Sequence, residues 1–319
     1  TGFAPYNDYD LIAVMRRGEA AARATLTELG ERWTRELGVA VDFWVVSEEL
    51  AASPPATLFW LDVALGGVRV LSGDPAVIDG AKRLRPRAVP LDEAGRLLAN
   101  RAVGLALSNL APCLDQVAER HIHKMVLAVG DARLLAADRY HGTVRERRDE
   151  LARLAPSPAI GPELVEAYAA AAAFRERPDL HHRGGAELER WYAASRERLA
   201  RWHLDFEAQR AGTPRTPLGY ATVPGRLYGP LPDTSPARAF ASALRASLRL
   251  HIPLLPWIGH PRERVARAAV ALAYAPCDRA ARAVAARLLG ARALGPDLER
   301  MVHDDDLRSA LLALIPFGG

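Results

Sequence analysis

The chain has 319 residues, half of them hydrophobic, with a formal charge of +4 in which acids and bases are interleaved. That is enough for two packed domains or one large one. No run of about eighteen uncharged apolar residues is present to cross a membrane as a helix, and no basic stripe marks a dedicated nucleic-acid binder. Cys113 and Cys277 are isolated, with neither metal-ligand spacing nor a disulfide framework. No leader segment is recognisable, so a cytoplasmic protein is expected. The chain starts at Thr1, without Met and almost on a motif, and further residues are expected upstream.

Residues 10–15 read as a first strand, preceded by Asp8-Tyr9-Asp10. Residues i and i+2 of an extended chain share a face, so Asp8 and Asp10 project side by side. Like charges that close call for a cation between them, and a hard divalent ion prefers such oxygens. The plain alternative is two solvated acids. Residues 19–37 then show helical spacing of Ala22, Leu26, Leu29, Trp33 and Leu37, ended by Gly38. The β-branched and aromatic run 39–46 predicts a buried strand with Asp42 as its one charge. A buried carboxylate there needs a metal, a base, or water at the strand end.

Residues 58–65 are also read as a strand, with Gly66-Gly67 turning into 68–71 as a hairpin. Ser72-Gly73-Asp74-Pro75 closes this unit. Beyond it the pattern turns helical, over 91–110, 117–138, 163–174, 186–209, 237–250, 262–273 and 278–289. Proline and glycine crowd 212–236, which reads as an extended loop or lid. The expected fold class is α+β: a small mixed β-sheet domain over 1–88, then a mainly α-helical region over 89–319. A sub-boundary is expected near 155–162.

A carboxylate pair at a strand start, and a third acid on the strand after an intervening helix, form a constellation. On GFAPYNDYDLIAV (2–14) and Val41-Asp42-Phe43 the chain resembles the nucleotidyltransferase superfamily, the fold of DNA polymerase β and of aminoglycoside nucleotidyltransferases. LFWLDVALGGVRVLSGDP (58–75) and KMVLAVGDARLLAADRY (124–140) look like bacterial nucleotidyltransferase-domain proteins with a helical C-terminal half. The resemblance covers roughly residues 1–150. It implies that Asp8, Asp10 and Asp42 hold Mg²⁺, or Mn²⁺, against a nucleoside triphosphate. Asp42 would also take the proton of the attacking hydroxyl, and pyrophosphate would leave. The family's phosphate-cradling Gly-Ser element does not occur in these residues.

On the helix 117–138, His121, Lys124, Ala128 and Asp131 share a face. Lys82 and Lys124 are the only lysines in an arginine-rich chain. Lys124, with Arg145 and Arg148, is read as a phosphate-binding group, and Asp131 and Tyr140 as contacts to the acceptor. The alternatives are a polar helix edge with Asp131 paired to Arg133 or another base, and ordinary surface arginines. His181-His182 and the histidines of 251–260 lack zinc spacing, while Trp191, Tyr192 and Trp202 read as core. The expected activity is metal-dependent transfer of a nucleoside monophosphate from an NTP to a hydroxyl of a small-molecule acceptor. A non-catalytic nucleotide- or partner-binding member of the same fold is the alternative, and a D-x-D glycosyltransferase the less favoured one. Neither a nucleic-acid nor a membrane partner is favoured.

Overall fold

The computed structural model describes residues 8–66, 68–178, 183–229, 241, 244, 261–290, 307–309, 311 and 312. It is an α+β molecule, mostly helical, with a small sheet near one end of the chain. Strand β1 (Tyr9–Met15), helix α1 (Glu19–Leu37) and strand β2 (Val41–Ser47) follow one another, and the two strands pair in parallel. Parallel neighbours require a crossover of a dozen or more residues, which α1 supplies. Gly38 stops that helix in the left-handed conformation, φ 67°, where its N–H donates to the Thr34 carbonyl. The sheet is therefore a parallel pair among the described residues, not the mixed sheet expected.

Alternation along the strands assigns the two faces. Phe43 meets Trp33 of α1, ring centroids 5.6 Å apart. A Cβ at Gly30 would lie 2.6 Å from the Val41 carbonyl oxygen, which explains a glycine inside this helix. On the other face Val46 joins a small apolar cluster with Ala51, Trp60, Val63 and Ala81, against which Ile12 and Val14 pack. β2 is not a buried strand throughout: Asp42 and Trp44 are exposed. Asp42 consequently needs no partner to offset burial.

The expected strand at 58–65 and its hairpin are overturned. After a short helix α2 (Glu48–Ala52), helix α3 (Leu58–Ala64) occupies this run, and Val68 to Leu71 carry no regular structure; Gly67 lies outside the described residues. Thr57 caps α3 by accepting from the Trp60 N–H, and Glu93 accepts from the Leu58 N–H. The helix is wedged between two cores. Trp60 and Val63 enter the sheet cluster, whereas Leu61 enters the large helical core with Leu58 and Leu65 against it. A short helix buried on two sides is apolar but for Asp62, and periodicity then does not separate it from a strand.

The helical region comprises α4 (Leu91–Asn109), α5 (Gln116–Ala136), α6 (Val144–Arg153), α7 (Gly161–Glu176), α8 (Gly185–Ala211), α9 (Pro217–Thr222), α10 (Pro261–Tyr274) and α11 (Arg279–Leu289). Its centre holds Leu98, Leu105, Ile122, Met125, Leu134, Leu151, Tyr168 and Leu199, all essentially fully buried. Tyr192 is buried there too, with Trp191 and Trp202 packed against it, as expected. Helix α6 is unexpected. Thr143 caps it in a reciprocal box with Glu146.

The described part of the supposed lid is bound down. Arg267 donates to the Val223 and Gly225 carbonyls, both at 2.6 Å, and Glu263 accepts from the Leu227 N–H at 2.8 Å. Arg210 and Asp92 hold the Leu227 carbonyl and the Gly229 N–H. Buried charges stitched to backbone make residues 223–229 part of the fold. Residues 230–236, the helix expected over 237–250 apart from residues 241 and 244, His181, His182 and the histidines of 251–260 lie outside the described residues.

Gly130, inside α5, faces the Tyr168 ring: a Cβ there would sit 2.3 Å from a ring carbon. Gly130→Ala is expected to destabilise by about 1–3 kcal/mol, the usual range for overpacking a filled core. A urea midpoint equal to wild type would show that α5 and α7 separate easily.

Candidate functional site

Parallel register places Asp10 beside Asp42 and Ile12 beside Trp44. Paired residues share a face, so Asp10, Asp42 and Trp44 project from the side opposite α1, and Asp8, just before β1, is near enough for its charge to act on Asp10. The face is acidic at the strand starts and apolar where α2 and α3 cover it. Asp8, Asp10 and Asp42 are exposed. The Asp10 carboxyl is pushed above the usual carboxylate range, first by partial desolvation, then by the charges of Asp8 and Asp42; a hydrogen bond from Trp44 and the charge of Lys124 oppose this. Asp10 therefore feels the charge of both other acids.

Lys124 of α5 is the cation that reaches them. Its ammonium is pushed below the usual lysine value by burial and by Arg101, Arg120 and Arg175, with Asp8 pulling it back. His121, one turn earlier, is held down to about 4 by burial and by Lys124, Arg120 and Arg101, so it is uncharged at neutral pH. Gly104 of α4 makes room for that ring, since a Cβ there would lie 2.2 Å from Nδ1. The charges of Arg101 on α4, Arg120 on α5 and Arg175 on α7 are thus felt at Lys124, and that of Lys124 is felt at Asp10. Arg101 and Arg175 are half-buried, and no hydrogen bond or ion pair to either guanidinium occurs among the described residues.

Asp131 and Tyr140 belong to a separate cluster. Arg147 of α6, buried, donates to Asp131 at 3.1 Å and to the Tyr140 oxygen. Tyr140 donates to Asp62 of α3 at 2.9 Å, and Tyr168 of α7 donates to Asp131 at 2.8 Å. Burial pushes the Asp131 carboxyl up, against Arg147 and Tyr168. It likewise raises the Tyr140 hydroxyl. These two residues join α3, α5, α6 and α7 rather than standing open to a ligand. The partner of Asp131 is Arg147, not Arg133, which donates to Gln209 of α8. Arg175 connects the two clusters electrostatically, since its charge is felt at Lys124, Asp62 and Asp131. Arg148 is paired with its neighbour Asp149 at 2.9 Å and Arg145 is exposed beside it. Neither is among the charges that reach Asp10 or Lys124.

Sequence reasoning missed Arg101, Arg120, Arg175, Trp44, Asp62 and Arg147. For Arg147 a signal existed, because Thr143-x-x-Glu146 is a capping box that announces a helix. For Arg101 and Arg175 nothing in the spacing distinguishes them from other arginines.

The donor chemistry suits a hard divalent cation: carboxylate oxygens on one face, one of them raised by its neighbours' charge. As placed, however, no group of three or more His, Cys, Asp or Glu side chains among the described residues forms a ready metal site. Exposed aspartates turn about χ1 and χ2, and rotation is what would close the set. No helix among the described residues is long and apolar enough to cross a membrane. Comparisons with protein-family models, curated proteins and solved structures find no match for this chain.

Proposed function

We propose that the chain is a metal-dependent nucleotidyltransferase of the DNA polymerase β-like fold, acting on a small-molecule hydroxyl. The observation that carries this reading is the nearness of opposite charge: Asp10 and Asp42 on one sheet face with Asp8 just before it, and Lys124 close enough that its charge is felt at Asp10 while those of Asp8, Arg101, Arg120 and Arg175 are felt at Lys124. A nucleoside triphosphate has the complementary form. Mg²⁺ or Mn²⁺, held by the three aspartates, would neutralise phosphate charge and acidify the attacking hydroxyl. Lys124 and the half-buried arginines hold the remaining phosphate oxygens. Asp42, exposed at the strand start, takes the proton of the acceptor hydroxyl. The new bond joins that oxygen to Pα, the Pα–O–Pβ bond breaks, and pyrophosphate leaves with the electron pair. Two exposed, unbridged thiols, Cys113 and Cys277, fit a reducing cytoplasmic setting.

A second reading, a non-catalytic nucleotide binder, draws on the absence of a ready ligand group among the described residues. Pyrophosphate release with Mg²⁺, the four NTPs and a panel of hydroxyl acceptors separates the two. Turnover supports the first reading, while NTP binding without release against every acceptor supports the second. A charge-assisted hydrogen bond is worth about 1.5–3 kcal/mol. Lys124→Met is therefore expected to raise KM for the NTP about tenfold to a hundredfold. An unchanged KM would remove Lys124 from the phosphate site.

A further inference from the structure

Trp44 is 53% exposed, an unusual position for the largest apolar side chain in a strand. It lies two residues beyond Asp42 on the same face and pairs across the sheet with Ile12, two residues beyond Asp10. One side of its ring is backed by Phe59 of α3, centroids 5.3 Å apart and 29° between planes. Phe59 in turn meets buried Trp60 edge-on at 5.3 Å. The indole is thus held from behind while much of it stays open beside the acids.

We propose that Trp44 is the platform on which the nucleobase of the bound nucleotide stacks. This rests on the nucleotide reading above. A rigid, backed, exposed ring suits stacking, because every base offers a π face. The ligand's planar ring is tethered to the phosphates that the acids and Lys124 address, so base and polyphosphate are held at adjacent places on one face. Stacking of this kind discriminates poorly among the four bases, so broad NTP use is expected.

The test compares Mn²⁺–ATP with Mn²⁺–tripolyphosphate, which lacks base and sugar, by calorimetry on the full chain. Wild type is expected to bind Mn²⁺–ATP about tenfold to a hundredfold more tightly. Trp44→Ala should erase that preference, and Trp44→Phe, which keeps an aromatic ring, should retain most of it. Should Trp44→Ala fail to fold, acrylamide quenching serves instead, with Trp44→Phe as the blank. Mn²⁺–ATP should shield the Trp44 emission and Mn²⁺–tripolyphosphate should not. A preference that survives Trp44→Ala, an equal weakening of both ligands, or no shielding overturns the base platform while leaving the phosphate site standing. If wild type binds neither ligand, the nucleotide reading itself falls.

Discussion

Under the proposed nucleotidyl transfer, Asp10→Asn is expected to lower turnover by about 10²–10³-fold, the usual loss when one charge-stabilising group leaves a reacting centre, without lowering thermal stability. The stability half follows from the sign of its titration. Desolvation, then Asp8 and Asp42, raise the Asp10 carboxyl above its unfolded value of 3.8. A raised carboxyl favours the fold while protonated, and that contribution disappears as pH rises through the folded-state value. At neutral pH wild type therefore carries a charge that the folded state disfavours, and asparagine removes it. The variant should melt at or above the wild-type temperature at pH 7, with the difference closing toward pH 4. Mn²⁺ should raise the melting temperature of wild type and leave Asp10→Asn almost unmoved. Loss of turnover accompanied by a lower melting temperature would mark Asp10 as a structural residue.

The largest stability effect is expected at Arg147. Its guanidinium is shared by Asp131 and Tyr140, with Asp62 at 3.9 Å. Arg147→Met leaves the Asp131 carboxylate buried without its cation, and breaking such a pair costs about 3–5 kcal/mol. The deficit should depend on pH. Burial already raises Asp131, and without Arg147 its folded value moves higher still. The stability that a protonated Asp131 provides is then lost as pH rises, so the variant falls furthest behind wild type at neutral pH and recovers as the pH falls. Adding Asp131→Asn should restore part of the urea midpoint. A midpoint for Arg147→Met within about 0.5 kcal/mol of wild type, the ordinary range for surface changes, would mean the network carries little stability.

Much of the local structure was legible in residue order. The spacing of Leu26, Leu29 and Trp33, closed by Gly38, marks α1, and the helices α4, α5, α7, α8, α10 and α11 follow from similar patterns. The run 58–65 was misread because both sides of α3 are buried, so the alternation that identifies a half-exposed element is missing. At Asp42 it was the burial of the strand that was misread, while the alternative of a solvated acid near the strand start matches its exposure. Its apolar neighbours suggested a buried strand, yet a two-stranded sheet leaves one side of β2 open at its start, and Asp42 and Trp44 stand there. Proline and glycine in 212–229 predicted irregular chain, which holds for much of it. They carried no information on the charged groups of α8 and α10 that pin it.

The sequence by itself determined the strand–helix–strand order, and with it the common face of Asp10, Ile12 and Val14, because a period of two leaves no choice within one strand. Tertiary structure alone decided that Asp42 joins that face, since register between strands depends on how α1 packs. It also decided which cations oppose the acids. Arg101, Lys124 and Arg175 sit on three helices, and helical spacing states which residues share a face without stating what that face meets. Asp131 and Tyr140 were placed the same way, drawn to Arg147 because a buried carboxylate binds the nearest guanidinium that burial leaves charged.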